Sequence, residues 1–470
     1  MDQDITRQSA TEIARRVRAR DVTALQVVEA HLSVIERANP TINAVCTLAA
    51  DQAREAAQRI DSAIAQGHDP GPLAGVPVGV KDTQPTAGLR TTYGSRLYEN
   101  HVPDEDALIV QRVKAAGGIV IGKTNTPEFA AGAHTVNAVF GATRNPWNPA
   151  LSASGSTGGG AAGLASAMFA LATGSDLGGS LRTPAAFCGV VGLRPSPGLV
   201  PRWPTPAPWA TLDVAGPMAR SVEDLALMLQ AIAGPSPYSP ITVPVAGRDF
   251  VGAARADIKP GLRVAYCPDI AGIGVDPEIE RLCRRAAFDL AEAGAQVEEI
   301  AFDLSFARPA FIQLRGQCMV ERHLDRLDRL DQLNPNLAGN IRLGLAQSPR
   351  DVALGEQGRA QLFDRFRALF EAHDVLLTPC TAVPPFPVER SHPEAINGRP
   401  MATYIDWVAP TFLVTLAGVP ALSVPCGLTS AKLPVGIQIV GGYWGEETTL
   451  SVGAAIEKTK SIGFPNKVKM

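Results

Sequence analysis

Apolar and charged positions alternate at helical spacing over residues 9–38, "SATEIARRVRARDVTALQVVEAHLSVIERA", and the pattern stops at Asn39-Pro40, which predicts a pair of amphipathic helices. A further Ala-rich helix is expected over 48–65. The pattern then changes. Residues 71–83, "GPLAGVPVGVKDT", break on Gly and Pro, run apolar and end on a charged pair; residues 117–129, "GGIVIGKTNTPEF", repeat that form after a helical stretch at 105–116. Both predict buried strands with polar C-terminal ends. From 158 to 173 a glycine cluster passes into "AAGLASAMFALAT", whose length and small residues predict a buried helix. Ser221 and Asp224 stand in capping-box spacing at the head of a helix over 221–234. After a Pro-rich linker at 234–250, the succession "GLRVAYC", "DPEIERLCRRAAFDLAEAGA", "QVEEI" reads strand, helix, strand, and so predicts βαβ units and an α/β architecture. A charged helical stretch at 308–370 precedes three short strand candidates, "HDVLLTPCTAVP", "GVPALSVPCG" and "LPVGIQIVG".

At 470 residues the chain is long enough for two or three domains or one large α/β unit. With 46% hydrophobic and 19% charged residues it has the composition of a folded protein rather than a disordered one. The formal net charge is −3 and no Lys/Arg run interleaves with aromatics, so direct binding of nucleic acid is not expected. No apolar run reaches membrane-span length and the start carries no apolar segment of signal-peptide type, which points to the cytoplasm. The seven cysteines and seven histidines are scattered, without C-x-x-C, H-E-x-x-H or a ligand cluster, so the expectation is reduced thiols, no metal and no cofactor.

Gly158–Gly163, "GGGAAG", match the dinucleotide fingerprint G-x-G-x-x-G and open a helix. The fingerprint also needs a strand before it, where "RNPWNPALSAS" reads as turn, and an acidic residue ending a second strand, whereas Asp176 lies in another Gly-rich loop. Close backbone packing is the better reading of Gly158 to Gly160 alone. A second loop after the same helix, "GSDLGGSLRTP" at 174–184, changes the balance: two Ser-bearing glycine loops bracketing one helix suggest a hydrolytic site. A serine nucleophile needs a base and N–H donors for the oxyanion. Leu177, Gly178, Gly179 and Ser180 offer the donors. No G-x-S-x-G elbow is present and no histidine sits in a comparable setting, but Lys81 follows the apolar run "AGVPVGV", and burial lowers a lysine's pKa toward that of a base. Lys81 can equally pair with Asp82 or reach the surface, and Lys123 in "VIGKTN" ends a similar run, so spacing leaves both lysines open.

Three stretches, "GVPVGVKD" at 75–82, "SGSTGG" at 154–159 and "DLGGSLRTP" at 176–184, together resemble the amidase signature enzymes, which use a Ser–cis-Ser–Lys triad. "GKTNTPEF", "GATRNPWNP", "FCGVVGLRPSPG", "GPMARSVEDLALML" and "LAGVPALSVPCG" extend the resemblance from about residue 8 to 455. It implies one large α/β/α domain over 1–457 with a mixed twisted sheet covered by helices. Within it lie N-terminal helices (about 9–65), a catalytic core (about 70–234) and a C-terminal α/β part (about 260–457); residues 458–470 would form a flexible tail. It further implies Ser180 as nucleophile, Ser156 as the bridging serine after a cis peptide from Gly155, Lys81 as base, an oxyanion hole at residues 177–180 and a substrate contact at Ala130.

Two positions depart from the family pattern: Ser154 replaces a Gly, and Thr157 replaces a Ser, keeping the hydroxyl but adding a stiffening methyl. Asp176 and Arg182 are expected to brace the loop; Trp203 and Trp209 are as well suited to packing as to lining a pocket. The implied function is hydrolysis of a carboxylic amide to carboxylate and amine, with aryl amides, esters and carbamates within reach of the same chemistry. The expected partners are a small-molecule amide and a second copy of the chain, with no nucleic acid and no membrane. Two alternatives stand beside it: the glutamine-using A subunit of a tRNA-dependent amidotransferase, which would need partner chains, and a nucleotide-binding module built on residues 158–163.

Overall fold

In the computed structural model, which describes residues 5–401 and 403–465, eleven strands join one mixed sheet. In chain order they are β1 (Val45–Leu48), β2 (Pro77–Lys81), β3 (Ile119–Thr124), β4 (Leu171–Asp176), β5 (Val191–Arg194), β6 (Val214–Ala219), β7 (Arg263–Tyr266), β8 (Gln296–Glu299), β9 (Val375–Pro379), β10 (Ala421–Leu428) and β11 (Pro434–Gly441). Across the sheet they run β1-β3-β2-β4-β6-β5-β10-β11-β9-β7-β8. Strand β2 lies parallel to both β3 and β4, and β7 lies parallel to both β9 and β8. The remaining neighbours are antiparallel. Every residue of β2 and β3 is buried, as near-continuous apolar runs in a parallel stretch should be.

Over the C-terminal half of this sheet two apolar cores lie on its two faces, and strand periodicity divides residues between them. Val375 and Leu377 of β9 pack in one core and Leu376 in the other; Val264 and Tyr266 of β7 separate in the same way from Ala265, and Ile437 and Ile439 of β11 from Val440. The mixed sheet covered by helices that the resemblance implies is therefore present.

Local signals explain several helix ends. Ser9 caps Ala10–Arg18, and a capping box of Thr23 with Gln26 starts Ala24–Ile42. That second helix runs past the predicted stop: Pro40 sits in its last turn, where one backbone hydrogen bond is lost, and Asn43 closes it in a left-handed conformation. The strand–helix–strand unit is Arg263–Tyr266, Pro277–Phe288 and Gln296–Glu299, with parallel strands.

The 158–173 stretch differs from expectation. Its helix covers only Gly158–Ala165; the chain turns at Ala167 and continues as β4. A continuous apolar run fits a buried strand as well as a buried helix, and here Leu171 and Ala172 pair with Val78 and Gly79 of β2. The second glycine loop thus follows a strand. Likewise "RNPWNPALSAS" is not plain turn: Arg144–Asn145 and Asn148–Ser152 pair as a small hairpin outside the main sheet. At the C-terminal end a helix at Glu446–Thr459 packs on β10, and Phe464 lies under the guanidinium groups of Arg7 and Arg220. The remainder of the expected tail, 466–470, lies outside the described residues. Among the described residues no helix is long and apolar enough to cross a membrane.

Candidate active site

Because β2 and β4 are parallel neighbours, their C-terminal residues Lys81 and Asp176 emerge at one end of the sheet, the end where α/β folds place ligands. The two glycine loops meet there. Lys81 is fully buried and its Nζ donates to Ser156 Oγ at 2.7 Å, Thr157 Oγ1 at 3.0 Å and Ser175 Oγ at 3.1 Å. Burial lowers the Lys81 pKa to about 7, against the opposing attraction of Asp213 and Asp176, while Arg322 and Arg202 lower it further. Such a lysine exists partly as the neutral amine near neutral pH.

The Gly155–Ser156 peptide is cis. The following loop residue, Thr157, donates its N–H to the Ser180 carbonyl at 3.2 Å, which ties one glycine loop to the other. Both departures from the family pattern are accommodated. The Thr157 methyl lies where Cβ atoms on Gly160 and Gly174 would come within 3.0 Å and 2.8 Å of it. Ser154 sits at a positive φ, and its hydroxyl donates to Thr183 Oγ1, which itself donates to the Gly155 carbonyl.

The competing lysine is elsewhere. Lys123 is also buried, and burial lowers its pKa to about 8, but its Nζ donates to the Gln84 carbonyl and to Thr86 Oγ1. Asp82 does not pair with Lys81 either; its carboxylate accepts from the N–H and hydroxyl of Thr92.

Asp176 and Arg182 brace the second glycine loop from beneath. Both are fully buried, and the guanidinium grips the carboxylate through Nη2 at 2.9 Å and Nε at 3.0 Å. Arg182 also reaches the Thr411 carbonyl, Thr415 Oγ1 and Gln438 Oε1. Burial alone would raise the Asp176 pKa, but Arg182, Arg194 and the Gly179 N–H hold it far below the usual carboxylate range. That last contact revises the donor set. The Gly179 N–H is spent on Asp176 Oδ1 at 2.8 Å, whereas among the described residues those of Leu177, Gly178 and Ser180 have no acceptor.

Above the loops lies a cleft enclosing about 620 Å³, part of it open to solvent, whose walls include Gly155, Ser156, Ser180, Leu177, Gly178 and Ala130. Phe129, Phe311, Phe412 and Met319 make it mostly apolar, and Asp213, Arg315 and Arg322 add charge. Neither tryptophan lines it: Trp203 stacks on Tyr238 and Trp209 is 71% exposed. Sequence reading missed Ser175, Asp213, Arg315 and Arg322. Ser175 was findable as the other serine of the second glycine loop; the others come from segments that only the fold brings near Ser180.

The amidase family model matches residues 26–450. The A subunit of glutamyl-tRNA(Gln) amidotransferase from Synechococcus sp. (strain CC9605) is 36% identical, over 95% of each chain. Among solved structures, a bacterial aryl acylamidase of the amidase signature family superposes with a TM-score of 0.90 at 28% identity, covering 97% of this chain and 96% of its own. The A subunit of the Thermotoga maritima glutamyl-tRNA(Gln) amidotransferase gives 0.77 at 27% identity, covering 99% and 98%. These likenesses overturn one expectation, that the partners are limited to a small amide and a second copy with nucleic acid excluded. The relatives are named as subunits of an enzyme acting on a tRNA. Surface charge reports only direct RNA binding, and one chain of an assembly can leave that contact to another.

Proposed function

The chain belongs to the amidase signature family, and on that premise we propose that it cleaves a carboxamide through an acyl-enzyme on Ser180. The observation that carries the reading is the buried contact of Lys81 Nζ with Ser156 Oγ at the edge of a cleft shared with Ser180. Neutral Lys81 accepts the Ser156 proton, and Ser156 accepts that of Ser180 as its Oγ attacks the carbonyl carbon. The N–H groups of Leu177, Gly178 and Ser180 are the candidate oxyanion donors, and Gly179 is left out because Asp176 holds its N–H. The relay returns the proton to nitrogen as the C–N bond breaks, and ammonia or an amine departs. Water then adds to the acyl ester by the same route, freeing the carboxylate and Ser180. Ala130 contacts substrate from the cleft wall, and one domain spanning 1–457 carries the site. The cysteines, all free thiols, suit the reducing cytoplasm.

For the amide itself, the relatives, named as A subunits of glutamyl-tRNA(Gln) amidotransferase, favour that reading, under which the chain would use glutamine and would need partner chains. A second reading, an aryl or similarly apolar amide, is favoured by the aromatic walls and by Asp213. This carboxylate of the cleft wall is already shared by Arg202 and Arg322, which leaves it poorly placed to meet the ammonium group of glutamine.

A fluorophosphonate probe with peptide mapping tests the shared chemistry; Ser180 is the expected site, and labelling elsewhere would overturn it. Glutamine hydrolysis that rises when the other amidotransferase chains and glutamyl-tRNA are added supports the first reading. Anilide hydrolysis without any glutaminase activity supports the second.

A further inference from the structure

Of the buried arginines around the site, Arg182, Arg194 and Arg315, one has no counter-charge among the described residues. Arg182 and Arg194 share Asp176; the half-buried Arg202 and Arg322 share Asp213, and the half-buried Arg308 pairs with Asp406. Arg315, on the helix Arg308–Arg322, is 8% exposed and lines the same cleft as Ser156 and Ser180. Its Nη1 donates to Asn340 Oδ1 at 2.5 Å and its Nη2 to the Tyr404 hydroxyl at 2.9 Å, both neutral acceptors. Among the described residues no carboxylate forms an ion pair with it.

Burying a charge without a partner is costly, so such groups are normally paired. Bracing Asn340 and Tyr404 does not explain the cost, since a neutral donor would brace them equally well. The cleft as a whole carries surplus positive charge, because Asp213 offers a single negative charge to two guanidinium groups. A planar guanidinium fork is also the natural match for a carboxylate.

We propose that Arg315 is a specificity-determining residue that receives a carboxylate carried by the amide substrate, on an apolar frame held among Phe311, Phe412 and Met319. The proposal rests on the reading that Ser180 opens the amide in this cleft, and it adds the class of substrate: an amide with an anionic end.

The test uses matched anilides, the monoanilides of succinic, glutaric and adipic acid against neutral anilides of the same chain length. Their kcat/KM values are compared in the wild-type protein, and their dissociation constants are compared in Ser180→Ala, which needs no turnover. At least one acid should be preferred over its neutral partner by about tenfold or more, the scale of a charge-assisted contact. Arg315→Met should bring that ratio toward one, and Arg315→Lys should keep part of it. A ratio near one for every pair, failure of every acid to bind, or a preference that survives Arg315→Met overturns the proposal. A loss of thermal stability in Arg315→Met with the ratio intact assigns Arg315 to bracing alone and overturns it too. If Arg315→Met does not fold, the wild-type and Arg315→Lys ratios decide. Failure of the acyl-enzyme reading shows separately, as absence of fluorophosphonate on Ser180 while the binding ratio persists in Ser180→Ala.

Discussion

Lys81 Nζ lies 2.7 Å from Ser156 Oγ although 75 residues separate them; the parallel pairing of β2 with β4 brings Lys81 to the second glycine loop, and the Thr157 N–H bond to the Ser180 carbonyl ties the first loop to it. Replacing Lys81 by Met keeps the volume of the stem and removes the base. Amide hydrolysis should fall by about 10²–10⁴-fold, the usual worth of a positioned general base, while circular dichroism and size-exclusion behaviour stay native.

The same lysine fixes the pH profile. Only the neutral amine accepts a proton, and burial brings the Lys81 pKa to about 7. The kcat/KM of the wild-type protein should therefore rise as pH increases through about 7 and level off above it. A profile that falls across that range would exclude Lys81 as the base.

Asp176 should dominate stability. Asp176→Asn leaves Arg182 and Arg194 buried without a counter-charge, and removing one partner of a buried ion pair costs about 3–5 kcal/mol. Denaturant unfolding measures it. The carboxyl's pKa is depressed in the fold, so its contribution is present above the ordinary value of 3.8 and lost progressively as pH falls below it.

Lys123→Met should behave differently from Lys81→Met. The variant loses donors to the Gln84 carbonyl and Thr86 Oγ1, at a cost of about 1–3 kcal/mol in stability. Its kcat at a permissive temperature should remain within about tenfold of wild type, because its bonds lead away from Ser156. Loss of labelling at Ser180 in a folded Lys123→Met protein would count against the choice of lysine.

Two glycines make a contrasting pair. A Cβ on Gly159 would lie 2.3 Å from the Asn125 nitrogen and 2.7 Å from the Asn125 and Ala44 oxygens, all backbone atoms. Gly159→Ala should cost about 3 kcal/mol or more, at the upper end for overpacking. Gly339 lies inside the helix Pro335–Leu345 with nothing within 4 Å of such a Cβ, so Gly339→Ala should gain about 0.5–1 kcal/mol from helix propensity. Thermal unfolding of the two variants reads both signs.

Residues that act through their immediate neighbours were readable from the chain. Lys81 follows an apolar run that had to be buried, and Ser156 and Ser180 sit in glycine loops whose spacing could be compared with a known pattern. Other features were hidden for physical reasons. The run Leu171–Asp176 carries no period that separates strand from helix, so β4 read as helix. That the Gly179 N–H turns toward Asp176 depends on a φ of +122°, which letters do not show. Arg315 looks like any arginine on a charged amphipathic helix, and only the folded chain reveals that it lines the same cleft as Ser180.

The groups that would break the bond all lie between Lys81 and Arg182, as do Phe129 and Ala130 of the cleft wall, whereas Phe311, Arg315, Met319 and Arg322 reach it from the helix Arg308–Arg322 and Phe412 from the helix Ala409–Ala417. Bond cleavage is thus written in one stretch of the gene, and substrate choice partly in another. A recombination or a cluster of substitutions beyond residue 300 can retune what enters the cleft and leave the proton relay untouched. One reactive centre can in this way be inherited by enzymes as unlike in name as an aryl acylamidase and a chain of a tRNA amidotransferase.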